Sequence, residues 1–363
     1  MTSTSRIALI MAGGTGGHVF PALAVARCLR ERGLTPVWLG TEVGMESKLV
    51  PQHQIDMEFI SVSGVRGKGV KAILLAPWQL LRAVWQAANV IRRLKPVIVI
   101  GAGGFVSGPG GIAAWLLRKP LIIHEQNAIA GMTNRWLSRV ATQVFEAFPG
   151  SFRHSAVCVG NPVRREISAL QEPASRFATR HDAIRLLVIG GSLGARRLNE
   201  LVPAALALLP IHDRPQVIHQ AGDKNLAMAQ AAYQHHQVAG DVRAFIDDMS
   251  SMYGWADLVV CRAGALTVSE LAAAGVASLL VPFPAAVDDH QTHNAQFLVA
   301  AGAAQLIQEK ELTPQRLADA LKVLCMHGRA ELLRMAERAR SCARIDADSR
   351  IAEACLALVG GQV

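Results

Sequence analysis

The chain has 363 residues, of which 51% are hydrophobic, and a formal net charge of +9. This composition excludes a disordered chain, and the length exceeds what one hydrophobic core usually supports, so we expect two domains. The longest apolar stretch, 72–81, is interrupted by Pro77 and Gln79 and is too short to cross a bilayer. Because the short polar start leaves no room for a signal peptide, we expect a soluble or peripheral protein of the cytoplasm.

Charge is unevenly distributed along the chain. Residues 1–160 contain 17 Lys and Arg against 7 Asp and Glu, whereas residues 161–363 contain 20 against 21. A strongly basic half is typical of a protein that meets an anionic surface. Aromatic residues are few and we find no nucleic-acid-binding motif, so we favour anionic membrane lipid over nucleic acid as the partner.

The six cysteines are scattered, and we expect reduced thiols.

Short apolar runs alternate with longer segments of helical period. In chain order the runs are 7–11, 37–39, 97–100, 121–124, 186–189, 216–220, 258–261 and 279–281. Runs that are apolar throughout indicate parallel strands covered by helices on both faces. The predicted fold class is α/β, with two doubly wound, Rossmann-like parallel sheets.

A domain boundary is predicted near Gly160-Asn161-Pro162, because a new unit of strand, glycine segment and helix begins at Leu186 after a polar stretch. The predicted domains are 1–162 and 163–341. The last helix, about 342–358, is expected to pack back on the first domain.

Three glycine-rich segments, 13–18, 101–111 and 190–195, each follow an apolar run. Glycine lets backbone N–H groups approach an anion at a helix start. The first segment precedes a helix predicted over 21–32 and departs from the dinucleotide-binding pattern G-x-G-x-x-G, which argues against a nicotinamide cofactor. The first two segments are candidate cradles for an acceptor diphosphate, although one of them could simply close a strand-to-helix turn, and the third suits a nucleotide diphosphate.

Six segments of the chain resemble the MurG family, in order and over nearly its whole length. They are GGTGGH (13–18), HEQN (124–127), GNPVR (160–164), GGSLGA (190–195), RAGALTVSE (262–270) and DDHQTHNA (288–295). This family transfers N-acetylglucosamine (GlcNAc) from UDP-GlcNAc to undecaprenyl-pyrophosphoryl-MurNAc-pentapeptide, converting lipid I into lipid II in peptidoglycan synthesis. The resemblance implies a glycosyltransferase B fold, two domains facing a cleft, with the donor bound by the C-terminal domain and the acceptor facing the N-terminal one.

The resemblance also implies a peripheral protein on the cytoplasmic face of the inner membrane, with other cell-wall synthesis and division proteins as candidate partners. Two rivals stay open. One is a UDP-GlcNAc 2-epimerase or another two-domain UDP-sugar transferase, since donor recognition does not determine the reaction. The other is a non-catalytic nucleotide-binding protein at the membrane.

By resemblance, the donor site lies in the second half of the chain. Glu270 is expected to accept hydrogen bonds from the ribose hydroxyls or, on the pattern alone, to complement a helix dipole. Arg262 and Ser192 are expected beside the diphosphate, where they would stabilise the charge that grows on the leaving UDP. The backbone of Ile246 is matched to the uracil and Gln291 to the sugar hydroxyls. On the pattern alone, Arg262 is equally a solvated cation and Ile246 a core residue.

The substrate-binding residues implied in this way are spread over both halves of the chain. They are Thr15, Gly16, Gly17, Asn127, Arg164, Ser192, Ile246, Arg262, Ala265, Leu266, Thr267, Val268, Ser269, Glu270 and Gln291. We expect neither a cofactor nor a metal ion.

An inverting displacement requires a base that removes the proton of the acceptor hydroxyl. His18 is the first candidate, because it ends the first glycine segment and histidine changes charge near neutral pH; the alternative is that it caps a helix or binds phosphate. Glu125 is the second candidate and His124 a weaker one, which could be a core histidine. Asn127 could orient either sugar.

Residues 64–95 combine basic side chains with an apolar stripe at helical spacing. Such a stripe is typical of a helix that lies in the headgroup region of an anionic membrane, or of ordinary core packing. The predicted membrane-binding residues are Ile73, Leu74, Trp78, Leu81, Trp85 and Trp115.

Overall fold

The computed structural model describes residues 6–62, 70–152, 156–191, 194–325 and 328–360, without the side chains of 70–74 and 287. The chain divides into two compact units, Met1–Val163 with Arg344–Val363, and Arg164–Ala343.

The described part of the first unit contains a seven-stranded parallel sheet in the order β3-β2-β1-β4-β5-β6-β7. Its elements are β1 (Ile7–Met11), α1 (Gly16–Glu31), β2 (Thr35–Gly40), α2 (Glu46–Gln52), β3 (Asp56–Phe59), α3 (Val70–Leu94), β4 (Ile98–Gly101), α4 (Ser107–Leu116), β5 (Leu121–Glu125), α5 (Met132–Leu137), β6 (Gln143–Glu146) and β7 (Val157–Cys158). The strand order reverses beside β1, which is where doubly wound sheets bind ligands.

Within its described residues, the second unit contains a six-stranded parallel sheet in the order β10-β9-β8-β11-β12-β13. Its elements are α6 (Arg165–Ser168), α7 (Pro173–Phe177), β8 (Arg185–Ile189), α8 (Arg196–Ala207), β9 (Gln216–Gln220), α9 (Leu226–His235), β10 (Asp241–Arg243), α10 (Met249–Trp255), β11 (Leu258–Cys261), α11 (Ala265–Ala274), β12 (Ala277–Leu280), α12 (His290–Ala300), β13 (Ala304–Leu306), α13 (Pro314–Cys325) and α14 (Arg329–Ser341).

Strand β1 shows why the first sheet is covered on both faces. Ala8 and Ile10 belong to one buried cluster, which includes residues of α1, and Leu9 and Met11 belong to another, which includes residues of α3 and α4. Successive side chains of a strand point to opposite faces, so an apolar strand needs helices on both sides. This arrangement confirms the predicted α/β class with two doubly wound parallel sheets.

The last helix, α15 (Ala347–Gly360), contributes Ile351 and Cys355 to the same buried cluster as α1. At its start, Cys28 Sγ of α1 donates to Asp348 Oδ2 at 3.1 Å. The C-terminal segment is therefore part of the first unit's core. None of the six cysteines, all of which lie in described parts of the chain, forms a disulfide.

Two expectations from the sequence need correction. Five strands were not recognised (β3, β6, β7, β10 and β13), and most of them are short and partly exposed, so they lack the continuous apolar run of a central strand. Helix α1 begins at Gly16 and not at Pro21, which lies inside it. Proline is favoured at a helix start, which explains the error. As a result, Gly17 and His18 belong to the first turn of α1.

Candidate active site

The first two glycine segments contact each other at the carboxyl edge of the first sheet. Gly103 and Gly104 have φ values of +94° and +82°, a region that favours glycine. A Cβ on Gly104 would overlap the carbonyl oxygen of Gly13, and a Cβ on Gly103 would overlap the His18 ring. The second segment therefore has a purpose beyond closing a turn, since its glycines let two backbone segments and an imidazole pack together.

A buried carboxylate that the sequence analysis missed lies under the first glycine segment. Glu46 is 0% exposed and accepts hydrogen bonds from Gly14 N (3.1 Å), Thr41 N (3.1 Å) and Thr41 Oγ1 (2.8 Å). The Gly14 amide, which was expected to face a phosphate, therefore donates to Glu46 instead. A single glutamate at the start of a polar helix gives no signal of this role in the sequence.

A continuous chain of hydrogen bonds runs from His18 into the core of the first unit. His18 Nδ1 lies 3.0 Å from Gln126 Oε1, and Gln126 Nε2 lies 2.9 Å from Ala102 O and 3.1 Å from His124 Nδ1. His124 Nε2 lies 3.0 Å from Gly160 O. Burial lowers the pKa of His124 to about 4, so this ring is neutral at physiological pH. His124 is a core histidine whose hydrogen bonds are satisfied, whereas His18 is only half-buried.

Glu125 is buried, and both of its oxygens are occupied. Oε1 accepts from Asn127 N (2.9 Å) and Asn127 Nδ2 (3.2 Å), and Oε2 accepts from Gly131 N (3.1 Å) and Asn134 Nδ2 (2.8 Å). Four donors hold this carboxylate as the centre of the turn between β5 and α5. The arrangement disfavours Glu125 as a proton acceptor and engages the side chain of Asn127 within the protein.

Thr15 is exposed and is the N-cap residue of α1, where its carbonyl accepts from the amides of His18 (3.0 Å) and Val19 (3.2 Å). Together with Gly16 and Gly17 it forms the entry to the helix. A helix start of this kind offers backbone N–H groups to an anion.

The third glycine segment follows β8, as predicted. Gly191 and Gly194 have φ values of +81° and +73°, and a Cβ on Gly194 would overlap the carbonyl oxygen of Ala221. Ser192 lies outside the described residues, so its predicted role stays a prediction.

Helix α11 begins directly after β11, with Gly264 as its N-cap residue. Its first turn, which contains Ala265, Leu266 and Thr267, therefore stands at the carboxyl edge of the second sheet, where such sheets bind ligands. Two of the predicted residues in this helix have structural contacts. Val268 is fully buried, and Ser269 Oγ donates to Ala265 O at 3.0 Å.

Glu270, in the second turn of α11, is 5% exposed and accepts three hydrogen bonds. Oε1 receives Arg164 Nε (3.2 Å) and Nη2 (3.0 Å), and Oε2 receives the Tyr253 hydroxyl (3.1 Å). Burial raises the pKa of Glu270, while Arg164 and then Tyr253 oppose the rise. Helix-dipole compensation does not account for a buried carboxylate with its own cation, so Glu270 and Arg164 form a built polar site.

Arg262 and Gln291 hold the segment after β12. Arg262 forms an ion pair with Glu309, and its Nη1 donates to Val281 O and Pro282 O at 3.2 Å each. Gln291 Oε1 accepts from Phe283 N at 2.9 Å. The guanidinium is therefore neither a solvated cation nor available to a diphosphate without giving up a partner. The side chain of Ile246 is buried, in accordance with its reading as a core residue.

The apolar stripe of α3 is exposed and does not form ordinary core. Trp78, Leu81 and Trp85 are 71%, 63% and 63% exposed, and Trp115 on the neighbouring helix α4 is 52% exposed. We call these four residues the α3–α4 patch. The side chains of Ile73 and Leu74, also predicted here, lie outside the described residues. In the described part of the chain, no helix has the length and apolar character needed to span a bilayer.

The structure thus gathers the predicted residues into two groups. Thr15, Gly16, Gly17, His18, Glu125 and Asn127 lie in the first unit, and Arg164, Ile246, Arg262, the 265–270 turn and Gln291 lie in the second. Sequence reasoning missed Glu46, Gln126 and Tyr253. Only Gln126 had a signal, because it stands inside the HEQN segment without an assigned role.

Two doubly wound sheets with glycine segments at their carboxyl edges are typical of glycosyltransferases that use nucleotide sugars. Residues 8–146 match the glycosyltransferase family 28 N-terminal domain, and residues 185–351 match the C-terminal domain of the same family. The chain is therefore a glycosyltransferase of family 28.

It is 57% identical, over 99% of both chains, to the UDP-N-acetylglucosamine–N-acetylmuramyl-(pentapeptide) pyrophosphoryl-undecaprenol N-acetylglucosamine transferase of Marinobacter nauticus. The crystal structure of Acinetobacter baumannii MurG is 42% identical and superposes with a TM-score of 0.86 over 97% of this chain and 99% of that one. The chain belongs to the MurG family of N-acetylglucosamine transferases, which confirms the resemblance and the glycosyltransferase B fold.

A UDP-GlcNAc 2-epimerase from Neisseria meningitidis, bound to UDP-GlcNAc, also resembles the chain, with a TM-score of 0.64 over 97% of this chain and 99% of that one. Its sequence is 12% identical. A likeness at this level establishes a shared fold and says nothing of a shared reaction.

Proposed function

We propose that the protein transfers GlcNAc from UDP-GlcNAc to the C4 hydroxyl of the MurNAc residue of lipid I, with inversion at the anomeric carbon, to give lipid II. The observation that carries this proposal is the 57% identity, over nearly the full length, to a transferase named for this reaction. The first unit would receive the lipid-linked acceptor, and the second unit would bind UDP-GlcNAc.

The donor end of the proposal rests on Glu270 and the start of α11. A buried carboxylate in a helix that begins at the carboxyl edge of a sheet suits the two vicinal hydroxyls of a ribose. The N–H groups at the start of α11 and the third glycine segment suit the diphosphate. Because Arg262 already pairs with Glu309, we propose that it serves the diphosphate only after exchanging that partner.

The proposed activation of the acceptor hydroxyl depends on His18. In the proposed step, the acceptor oxygen attacks C1 of GlcNAc from the face opposite UDP, and the bond between C1 and the diphosphate oxygen breaks. The electron pair of that bond leaves with UDP, and His18 takes the hydroxyl proton. His18 is preferred over Glu125 because its ring is partly exposed, whereas four donors occupy the Glu125 carboxylate.

The proposed binding to an anionic membrane depends on the α3–α4 patch. Two helices that expose three tryptophans and a leucine in a basic unit suit the headgroup layer of an anionic membrane. Localisation at the cytoplasmic face of the inner membrane, and contact with other proteins of cell-wall synthesis and division, are parts of this proposal.

A turnover assay with UDP-GlcNAc and a short-chain lipid I analogue tests the proposal. The expected products are UDP and a disaccharide with inverted anomeric configuration, and His18→Ala should lower kcat about 100-fold or more while leaving UDP affinity intact. Release of a 2-epimerised sugar would identify an epimerase. Binding of UDP-GlcNAc without any product would identify a nucleotide-binding protein.

A further inference from the structure

Gln126 is 1% exposed, yet it lies between two histidines. A buried amide must find partners for both its N–H donors and its oxygen, because an unpaired buried polar group is costly. The hydrogen bonds that link Gly160, His124, Gln126 and His18 form one series, and the partners of Gln126 determine which atom is the donor in its bond to His18.

The direction is set first at the core end. Gly160 O can only accept, so His124 Nε2 carries the proton of the hydrogen bond that joins them. Burial keeps His124 neutral, with its pKa lowered to about 4. A neutral ring protonated on Nε2 has an unprotonated Nδ1, and His124 Nδ1 therefore accepts.

The orientation of the Gln126 amide follows. Its nitrogen lies near three acceptors, Ala102 O (2.9 Å), His124 Nδ1 (3.1 Å) and His124 O (3.3 Å). Turning the amide over would place its oxygen against all three of them. The nitrogen is therefore held on this side, and Oε1 faces His18 Nδ1 at 3.0 Å.

An amide oxygen can only accept, so His18 Nδ1 must donate. In neutral His18, Nε2 is then the nitrogen without a proton. We propose that Gln126, oriented by His124 and Ala102, is a positioning residue that holds His18 in the tautomer protonated on Nδ1. This inference rests on the proposed role of His18 as the base.

The consequence for the reaction concerns where the proton goes. The proton of the acceptor hydroxyl moves to His18 Nε2, and the ring becomes a cation with hydrogens on both nitrogens. Gln126 Oε1 continues to accept from Nδ1 and stabilises that cation, as an orienting partner does in other histidine-based sites. The opposite tautomer would present an N–H to the acceptor and could not remove its proton.

The first test is the tautomer itself, measured by ¹⁵N NMR of the full-length protein labelled in histidine, with the His18 signal identified by its loss in His18→Ala. We expect a protonated Nδ1 and an unprotonated Nε2 in neutral His18. An Nε2-protonated ring in the parent protein would overturn the inference, and this measurement does not depend on the folding of a Gln126 variant.

The second test is a double-mutant cycle with Gln126→Met, which keeps the shape of the side chain but cannot accept from Nδ1. We expect kcat to fall at least about tenfold with UDP affinity unchanged, and no further loss when Gln126→Met is added to His18→Ala. A further loss in the His18→Ala background would show a general structural role and reject the inference. If the tautomer is as expected but His18→Ala retains full kcat, the tautomer assignment stands and the proposed base is wrong.

Discussion

The guanidinium of Arg164 reaches a single oxygen of Glu270, with Nη2 at 3.0 Å and Nε at 3.2 Å from Oε1. The Arg164 side chain is 42% exposed, whereas that of Glu270 is 7% exposed. A buried carboxylate is thus paired with a cation that remains partly in water, and this cation opposes the rise in the pKa of Glu270 that burial causes. Because a ribose would use the same carboxylate, Arg164 and the donor are expected to share or exchange Oε1.

Replacing Glu270 by Gln should weaken UDP binding about 10- to 100-fold, because hydrogen bonds to a charged partner contribute roughly 1.5–3 kcal/mol. Isothermal titration with UDP measures the change. Glu331→Gln, which breaks a surface ion pair on α14, is the control and should leave UDP affinity unchanged. Equal affinity in the Glu270 variant and the parent would remove Glu270 from the donor site.

Replacing Tyr253 by Phe should make UDP binding more sensitive to acid. Burial already raises the pKa of Glu270, and the hydrogen bond from Tyr253 opposes that rise, so its loss moves the pKa further up. Affinity that needs the ionised carboxylate is present above this pKa and is lost as pH falls through it, so the loss should begin at higher pH in the variant. UDP affinities of both proteins between pH 5 and 8 test this, and superimposable profiles would contradict it.

Two buried histidines should make the protein less stable in acid. Burial lowers the pKa of His124 to about 4 and that of His219 to about 3, below the value of about 6.5 in an unfolded chain. At a pH between the folded and unfolded pKa values, only the unfolded state binds the proton. The contribution of these histidines to stability is therefore fully present above about pH 6.5 and is lost as pH falls. For His124 the loss approaches about 3 kcal/mol.

Thermal unfolding between pH 4.5 and 7.5 measures this dependence. In His219→Gln the midpoint should vary less steeply with pH than in the parent, although the variant is less stable at pH 7. Parallel curves would mean that His219 does not contribute to the acid sensitivity.

The double substitution of Trp78 and Trp85 by Ser should lower binding to anionic vesicles at least about tenfold, because two exposed apolar side chains no longer enter the interface. Co-sedimentation with vesicles of acidic and of neutral lipid measures it, and parent binding should fall as salt is raised. Ile211→Ser, at an 81% exposed site of the second unit, is the matched control. Undiminished binding by the double variant, or equal binding of the parent to neutral vesicles, would contradict a role for the α3–α4 patch.

Sequence patterns predicted the central strands well and the edges poorly. The run 258–261 coincides with β11, and the run 186–189 lies within β8, since a strand buried on both faces must be apolar throughout. Strand β7 has two residues and β10 has three, and their side chains are exposed or half-buried. Such strands form because a neighbouring strand offers them backbone hydrogen-bond partners. Their own residues do not indicate that they will be strands.

The candidate site shows a similar division. The resemblance drew attention to Glu270, Arg164 and His18, but the partners of these side chains could not be inferred. Arg262 is a cation at a strand end in the sequence, and its ion pair with Glu309 depends on a segment that follows β13. Glu125 and Gln126 are adjacent in the HEQN segment, yet one organises a turn and the other orients His18.

By itself the sequence determined the α/β class, the two sheets and the family, because the period of apolar residues and the glycine segments are local properties of the chain. Only the tertiary structure decided which polar groups face one another. His18 and Gln126 are 108 positions apart, and Arg164 and Glu270 are 106 apart. Such pairs form when the packing of strands and helices brings distant segments together and removes water from one partner, here Gln126 and Glu270. Each buried group must then satisfy its hydrogen bonds with the neighbour that the fold has placed beside it.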